Sequence, residues 1–87
     1  MKLLFTESGW ADYLHWQEHD PKLLARINAL LKDCARSPFS GIGKPEPLRE
    51  NLSGWWSRRI NDEHRLVYRV AGRNAEPLEI IQCRYHT

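Results

Sequence analysis

Hydrophobic side chains recur at helical spacing through the second quarter of the chain. Leu, Ile and Cys occupy positions 23, 24, 27, 30, 31 and 34, which places them on one face of a helix of about 15 residues. Asp20 and Pro21 fit its start, because the Asp side chain accepts from the first free N–H groups and Pro has no N–H to satisfy. Ser37 and Pro38 end it, since a residue before proline avoids helical backbone.

A shorter helix is predicted before this one. Apolar side chains at positions 10, 13 and 14 follow the i, i+3, i+4 spacing of a helix face. Thr6 or Ser8 can cap its start, and we expect it to run to about His19. The apolar run KLLFT, residues 2–6, precedes it and is predicted to form an N-terminal strand.

The last 40 residues change to the alternation that is typical of β-strands. Three runs, WWSRRI (55–60), RLVYRV (65–70) and LEIIQCRY (78–85), are separated by the turn-rich segments NDEH and AGRNAEP. Short connections predict an antiparallel meander. The segment FSGIGKPEP (39–47) carries two glycines and two prolines and is predicted to be an ordered loop. The prediction is therefore one α+β domain over residues 1–87, in the order β-α-α-β-β-β, with the helices on one face of the sheet.

Alternation also predicts which side chains share the sheet face away from the helices, which we call the outer face. Leu66, Tyr68 and Val70 form the apolar set of the middle strand, so the outer face collects the opposite set. That set is Arg59, Arg65, Arg69, Gln82, Arg84 and His86. No carboxylate joins it in this assignment. An unbalanced cluster of cations favours a visiting anion such as phosphate. A solvated face whose charges prevent edge pairing is the alternative.

Charge, composition and cysteines narrow the class of protein. The net charge is only +2, but residues 34–73 hold eight Lys/Arg and four Asp/Glu, a local charge of +4. No apolar run approaches the roughly 20 residues that span a bilayer, and the start MKLLFTESG turns polar too early for a signal peptide. Cys34 and Cys83 lack CxxC spacing. We expect two reduced thiols packed as small hydrophobic side chains in a cytoplasmic protein.

Candidate acid–base groups are few. Glu46 lies between two prolines in KPEP, and is either a carboxylate held beside the arginines or a loop glutamate in water. His86 is penultimate. His15, His19 and His64 are interpreted as surface residues, and the HxxxH pair at 15 and 19 lacks a third metal ligand.

Four motifs fall in order with almost no gaps: GKPEPL, NLSGWWSRRI, EHRLVYRV and CRYH. Together they resemble the YoeB toxins, of the RelE superfamily in bacterial type II toxin–antitoxin systems. The resemblance covers nearly the whole chain and implies a fold like that of microbial ribonucleases. It further implies a ribosome-dependent mRNA endonuclease that cuts in the ribosomal A site, with no metal or cofactor.

The resemblance also assigns roles to residues. The family's general base falls on Glu46 and its general acid on His86. Its active-site arginines fall on Arg59 and Arg65. A phosphate-binding lysine of the family is replaced by Arg49, which keeps the charge but not the shape.

The chain departs from the family pattern at its end, RYHT in place of RYHY. Thr87 has no ring to stack on a base, and such stacking is worth about 1–3 kcal/mol. A catalytically weakened module that binds the A site or an antitoxin without cutting RNA is therefore the alternative function. Arg58, Arg69 and Arg84 are expected to meet ribosomal RNA, an acidic antitoxin segment or solvent.

The resemblance implies a set of partners. They are a YefM/Phd-like antitoxin, the bacterial ribosome with its mRNA, a second copy of the toxin, and operator DNA reached only through the antitoxin. No membrane is expected.

Overall fold

Two helices pack on one face of a five-stranded mixed sheet. The structure, a computed structural model, describes residues 1–72 and 76–85. The elements in chain order are β1 (Leu3–Phe5), α1 (Glu7–His19), α2 (Pro21–Arg36), β2 (Glu46–Pro47), β3 (Trp56–Arg59), β4 (Arg65–Val70) and β5 (Leu78–Gln82), with a 3₁₀ turn at Glu50–Leu52. The strand order is β1-β5-β4-β3-β2, with β1 parallel to β5 and the other pairs antiparallel. The predicted α+β architecture and meander are confirmed.

The helices begin where their capping residues predict. Thr6 Oγ1 accepts from the Gly9 N–H at 3.1 Å, and Asp20 Oδ1 accepts from the Leu23 N–H at 3.1 Å. Gly9 also sets the distance between α1 and the sheet, because a Cβ there would collide with the carbonyl of Ile80 in β5. A close helix–sheet approach of this kind requires glycine.

One strand was not predicted. Two prolines argued against a strand in the 39–47 loop, yet Glu46 and Pro47 pair with Ser57 and Trp56 of β3. This short strand lies at the sheet edge, where proline's missing N–H costs no ladder hydrogen bond.

The core lies between the helices and the inner face of the sheet. Its main cluster includes Ile27, Leu30, Leu31, Cys34, Leu66, Tyr68, Leu78 and Ile80. Simple alternation from Gln82 would put Leu78 and Ile80 on the outer face as well, but both are fully buried in this core. A register shift explains the error: Tyr68 pairs with Ile80, while the adjacent Val67 pairs with Gln82. The extra residue resets the alternation within β5.

The two cysteines are free and buried. Burial raises the pKa of the Cys34 thiol to about 11 and that of Cys83 to about 12. Both therefore pack as small apolar side chains, as the sequence indicated. Over the residues that the structure describes, no helix has the length and apolar character to cross a membrane.

Candidate functional site

A row of four side chains crosses the outer face of the sheet. Glu46 pairs with Ser57, Ser57 with Val67, and Val67 with Gln82. Residues directly opposite in antiparallel strands share a face, so Glu46 points to the same side as Gln82. Ser57 is 6% exposed and Val67 fully inaccessible. These two short side chains form the floor of the row, and the exposed Glu46 stands at its edge end.

Two arginines stand opposite each other on the adjoining row. Arg59 of β3 pairs directly with Arg65 of β4, and like charges in this position repel. Arg65 Nη1 donates to the carbonyls of Asn61 and His64, at 2.6 and 3.0 Å. Arg59 is exposed, and its ion pair with the fully exposed carboxylate of Asp62 is long, at 3.9 Å. The pair therefore presents concentrated positive charge to any anion above this face.

Arg58 lies between them in sequence but serves the opposite face. It is fully buried and donates to five different residues. Its partners are the Tyr68 hydroxyl, Asp33 Oδ2 and the carbonyls of Ser37, Ser40 and Ile42, at 2.6–3.1 Å. The expectation that Arg58 meets RNA, antitoxin or solvent was wrong. Its guanidinium instead ties the segment 37–42 to the core, where its charge is paired with Asp33.

The loop that leads to Glu46 continues from the segment 37–42, which Arg58 anchors. Gly41 and Gly43 adopt positive φ, 117° and 82°, which glycine adopts without strain. A side chain at Gly41 would also collide with the carboxylate of Asp33. The Arg59 N–H donates to the Gly43 carbonyl at 2.6 Å, so the loop is bonded directly to β3 before Glu46 pairs with Ser57.

The other end of the outer face is neutralised. Arg69 Nε donates to Glu79 Oε1 at 2.7 Å, and its guanidinium lies 4.5 Å from the ring centroid of Trp55. The prediction that no carboxylate joins the arginines was therefore wrong, since the register shift places Glu79 opposite Arg69. Trp55 and Trp56 do serve opposite faces, with Trp56 packed on the core. Arg69 thus has a carboxylate at 2.7 Å, whereas the carboxylate that pairs with Arg59 lies at 3.9 Å, so the positive charge of the described outer face is concentrated at the Arg59–Arg65 end.

After β5 the chain returns to the Arg59–Arg65 end of the sheet. The Tyr85 N–H donates to His64 Nδ1 at 2.7 Å, and the Arg65 N–H donates to the Tyr85 carbonyl at 3.0 Å. His64 is 9% exposed, so its interpretation as a surface residue was wrong. Arg84 was also misplaced: its guanidinium lies over the rings of Trp16 and Tyr85, on the α1 side of the segment.

The remaining predicted residues are less tightly placed. Arg49 is exposed and precedes the 3₁₀ turn just after β2. His86 and Thr87 lie outside the described residues, so their predicted roles stay predictions. The structure thus brings Glu46, Arg59 and Arg65 to one face and ends its description one residue before His86. In the described ranges 1–72 and 76–85, no group of three or more His, Cys, Asp or Glu side chains could hold a metal ion.

Comparison with known proteins connects this arrangement to a family. A family model described as a YoeB-like toxin of the bacterial type II toxin–antitoxin system matches residues 5–87. The chain belongs to the YoeB-like toxins. A curated relative, Toxin YoeB of Synechocystis sp., is 64% identical over 86 residues, which is 99% of this chain and 96% of that protein.

Solved YoeB structures share the fold. The YoeB/ParE toxin from Agrobacterium tumefaciens has a TM-score of 0.96 at 52% identity, with both chains covered completely. A YoeB dimer and a YoeB–YefM complex from Staphylococcus aureus give TM-scores of 0.89 and 0.88, at 43% and 42% identity. Both cover 100% of this chain and 98% of the other. The resemblance predicted from sequence is confirmed.

Sequence reasoning missed the residues that hold this YoeB-like site in place. Asp33 lies outside the four motifs, and the motif EHRLVYRV, which contains His64 and Tyr68, does not reveal the partners that these two side chains bind. A signal existed for Arg58, because Trp56 and Ile60 are apolar and alternation puts all three on the inner face.

Proposed function

We propose that this YoeB-like toxin is a ribosome-dependent mRNA endonuclease that cuts within the ribosomal A site and so inhibits translation. The observation that carries the proposal is the Arg59–Arg65 pair on the same sheet face as Glu46 and one row away from it. A carboxylate beside paired guanidinium groups can accept a proton while the cations bind a phosphodiester.

The reaction uses the nucleophile that RNA carries. Glu46 removes the proton of the 2′-hydroxyl, and O2′ forms a bond to the adjacent phosphorus. The bond from phosphorus to O5′ breaks, and His86 donates a proton to that leaving oxygen. The products are a 2′,3′-cyclic phosphate and a 5′-hydroxyl end. Each acid or base contributes about 10²–10⁴-fold to such a rate.

Arg59 and Arg65 stabilise the charge that develops on the phosphorane. The β3–β4 pairing fixes the backbone of both residues, and the Asn61 and His64 carbonyls hold the Arg65 guanidinium, so little reorganisation of Arg65 is needed during the reaction. Arg49, which follows Glu46 by three residues, supplies a further cation for the substrate phosphate.

We also propose the partners that the S. aureus structures name. A YefM-like antitoxin would bind the toxin and cover the outer face, with acidic side chains opposite Arg59 and Arg65, and operator DNA would be reached only through it. A second copy of the toxin would form a homodimer. Light scattering on the toxin alone and with antitoxin measures both assemblies.

The decisive experiment is primer extension on a defined mRNA in a bacterial translation extract, with and without ribosomes. Wild type is expected to cut within the A-site codon only when ribosomes are present. Glu46→Ala and His86→Gln should each slow cutting by about 100-fold or more. Glu18→Gln is the matched control, because its exposed carboxylate lies on α1 and its ion pair within the described part of the chain is with His19.

Two outcomes would change the proposal. Cleavage of an mRNA with a 2′-deoxy nucleotide at the cut position would reject the 2′-hydroxyl mechanism. Stalled ribosomes without a cut would favour the alternative, a module that occupies the A site without cleaving. Thr87, in place of the family's tyrosine, is the sequence feature that supports this alternative. Recovery of cleavage in Thr87→Tyr would then identify the missing ring as the cause.

A further inference from the structure

The backbone of Tyr85, the last residue that the structure describes, is held on both sides. Its N–H donates to His64 Nδ1 at 2.7 Å. Its carbonyl accepts from the Arg65 N–H at 3.0 Å and from Gln82 Nε2 at 3.4 Å. The residue adopts φ of 68°, a left-handed conformation that costs a non-glycine residue free energy. External hydrogen bonds must therefore stabilise this turn.

The His64 ring packs against α1. Its ring lies 4.8 Å from that of Trp16, edge to face, and Trp16 Nε1 donates to the Cys83 carbonyl at 2.8 Å. Asp12 of α1 accepts from the Cys83 N–H at 3.1 Å. The segment before Tyr85 is thus bonded to α1, while Tyr85 is bonded to the β3–β4 turn. Two elements of the fold converge on the three residues that precede His86.

The hydrogen bond also defines the state of the imidazole. Because Nδ1 accepts from the Tyr85 N–H, it must carry a lone pair, and the ring proton of the neutral form is then on Nε2. Nε2 lies 3.5 Å from the exposed carboxylate of Glu63. His64 therefore uses one nitrogen for the Tyr85 backbone and turns the other toward the surface.

We propose that His64 is a positioning residue for RNA cleavage: by accepting from the Tyr85 N–H it fixes the left-handed turn from which residue 86 continues. This inference rests on the proposed function, in which His86 protonates the leaving oxygen. His64 precedes Arg65, whose N–H holds the Tyr85 carbonyl, so the same two neighbouring residues set the turn at 85 and place a cation on the outer face. A small rotation at residue 85 would move the next side chain relative to that cation.

Two substitutions of equal size test this role. In His64→Asn the side-chain oxygen can take the place of Nδ1 as acceptor, whereas His64→Leu has the same number of side-chain heavy atoms and no acceptor. Both lose the ring that contacts Trp16, so the difference between them isolates the hydrogen bond. The measurements are maximal cleavage rate and half-saturating concentration on purified ribosomes programmed with a defined mRNA, together with hydrogen exchange of the Tyr85 amide.

We expect His64→Leu to cut about tenfold more slowly than His64→Asn at saturation, equivalent to about 1.4 kcal/mol, because proton transfer depends on geometry. Their half-saturating concentrations should agree within about twofold, since the outer arginines that bind the phosphate remain. The Tyr85 amide should be protected in wild type and His64→Asn and exchange faster in His64→Leu.

Equal maximal rates for the two variants, or a loss confined to the half-saturating concentration, would overturn the positioning role. An unprotected Tyr85 amide in wild type would overturn the anchor itself. A wild type that never cleaves would instead reject the proposed function, and with it the catalytic consequence of the anchor, while the exchange measurement would still decide whether His64 holds Tyr85.

Discussion

Two adjacent arginines on β3 occupy opposite environments. Arg58 faces the helices, is fully buried, and distributes its donors over a carboxylate, a hydroxyl and three carbonyls. Arg59 faces outward, opposite a second cation at Arg65, and its contact with the Asp62 carboxylate is long, at 3.9 Å. One is satisfied within the protein, and the other retains donors for a ligand.

This contrast separates an arginine that stabilises the fold from one whose donors stay available to a ligand. Desolvating a guanidinium is costly, so a buried one persists only where its donors are matched, as they are for Arg58. An arginine that faces a like charge on an exposed surface gains no stability from that neighbour, so its donors stay available to an anion. Sequence proximity carries little information, because alternation sends neighbours to opposite faces.

The largest expected effect comes from removing the inner cation. Arg58→Met should lower the free energy of unfolding by about 3 kcal/mol or more, because Asp33 and several carbonyls lose their donor at once. Arg59→Met removes the same atoms one residue later and should change it by no more than about 0.5 kcal/mol. Urea unfolding of the two variants followed by circular dichroism measures both. Equal losses would contradict the distinction between the faces.

For RNA cleavage, unlike stability, we expect the substitution at Arg59 to have the larger effect. Arg59→Met should lower the maximal cleavage rate about a hundredfold, the usual loss when one preorganised donor to a developing charge is removed. Lys22→Met is the control, because it deletes an exposed cation on α2, away from the outer face. If both variants slowed cleavage alike, the effect would reflect overall charge rather than the Arg59–Arg65 pair.

A smaller loss is expected when the support of Arg58 is reduced rather than removed. Tyr68→Phe deletes a hydroxyl that accepts from Arg58 Nε at 3.1 Å and donates to the Pro38 carbonyl at 2.6 Å. The buried Arg58 Nε and the part-buried Pro38 carbonyl each lose a partner, so stability should fall by about 2 kcal/mol. Tyr13→Phe removes an exposed hydrogen bond to Asn28 and should cost about 1 kcal/mol at most, since water replaces it. Thermal unfolding of the pair decides; a Tyr13 loss as large as that of Tyr68 would argue against this ranking.

The smallest expected effect is a pH dependence of stability that arises from Asp33, the partner of Arg58 on the inner face. The hydrogen bond from Arg58, with a second from the Ile42 N–H, holds the pKa of Asp33 below its ordinary value of 3.8. The unfolded chain therefore binds this proton more readily, so the stabilisation is complete above about pH 4 and is lost as pH falls through the lower, folded-state pKa. Urea midpoints of wild type and Asp33→Asn should converge as pH is lowered from 6 to 3. A gap that does not narrow would disprove the assignment to Asp33.

Helices and the central strands could be predicted from local pattern because each depends on its own residues. The α2 face is buried as its spacing indicated, and the caps at Thr6 and Asp20 form as their side chains suggested. The placement of Arg59 and Arg65 on one sheet face also followed from the alternation of the two runs that hold them. In each case the partners lie close in sequence.

The rest depended on contacts between distant segments. Glu46 reaches the outer face only because a proline-rich loop pairs with β3, and no local pattern marks that edge strand. Glu79 meets Arg69 because the register shift resets β5. His64 is buried by α1 and by the returning chain end rather than by its own neighbours. These three errors share one cause: long-range pairing decides which side of the chain faces where.

The prolines around Glu46 have a further consequence for self-association. The Leu48 N–H points toward the neighbouring strand and donates to the Trp55 carbonyl. By alternation, the backbone nitrogens of residues 45 and 47 point away from β3, and both belong to proline. Over this stretch the sheet edge therefore has no backbone N–H that points away from β3 and could pair with a strand of another chain. A carboxylate can thus stand at an open edge, accessible to a ligand, without that edge becoming a template for aggregation.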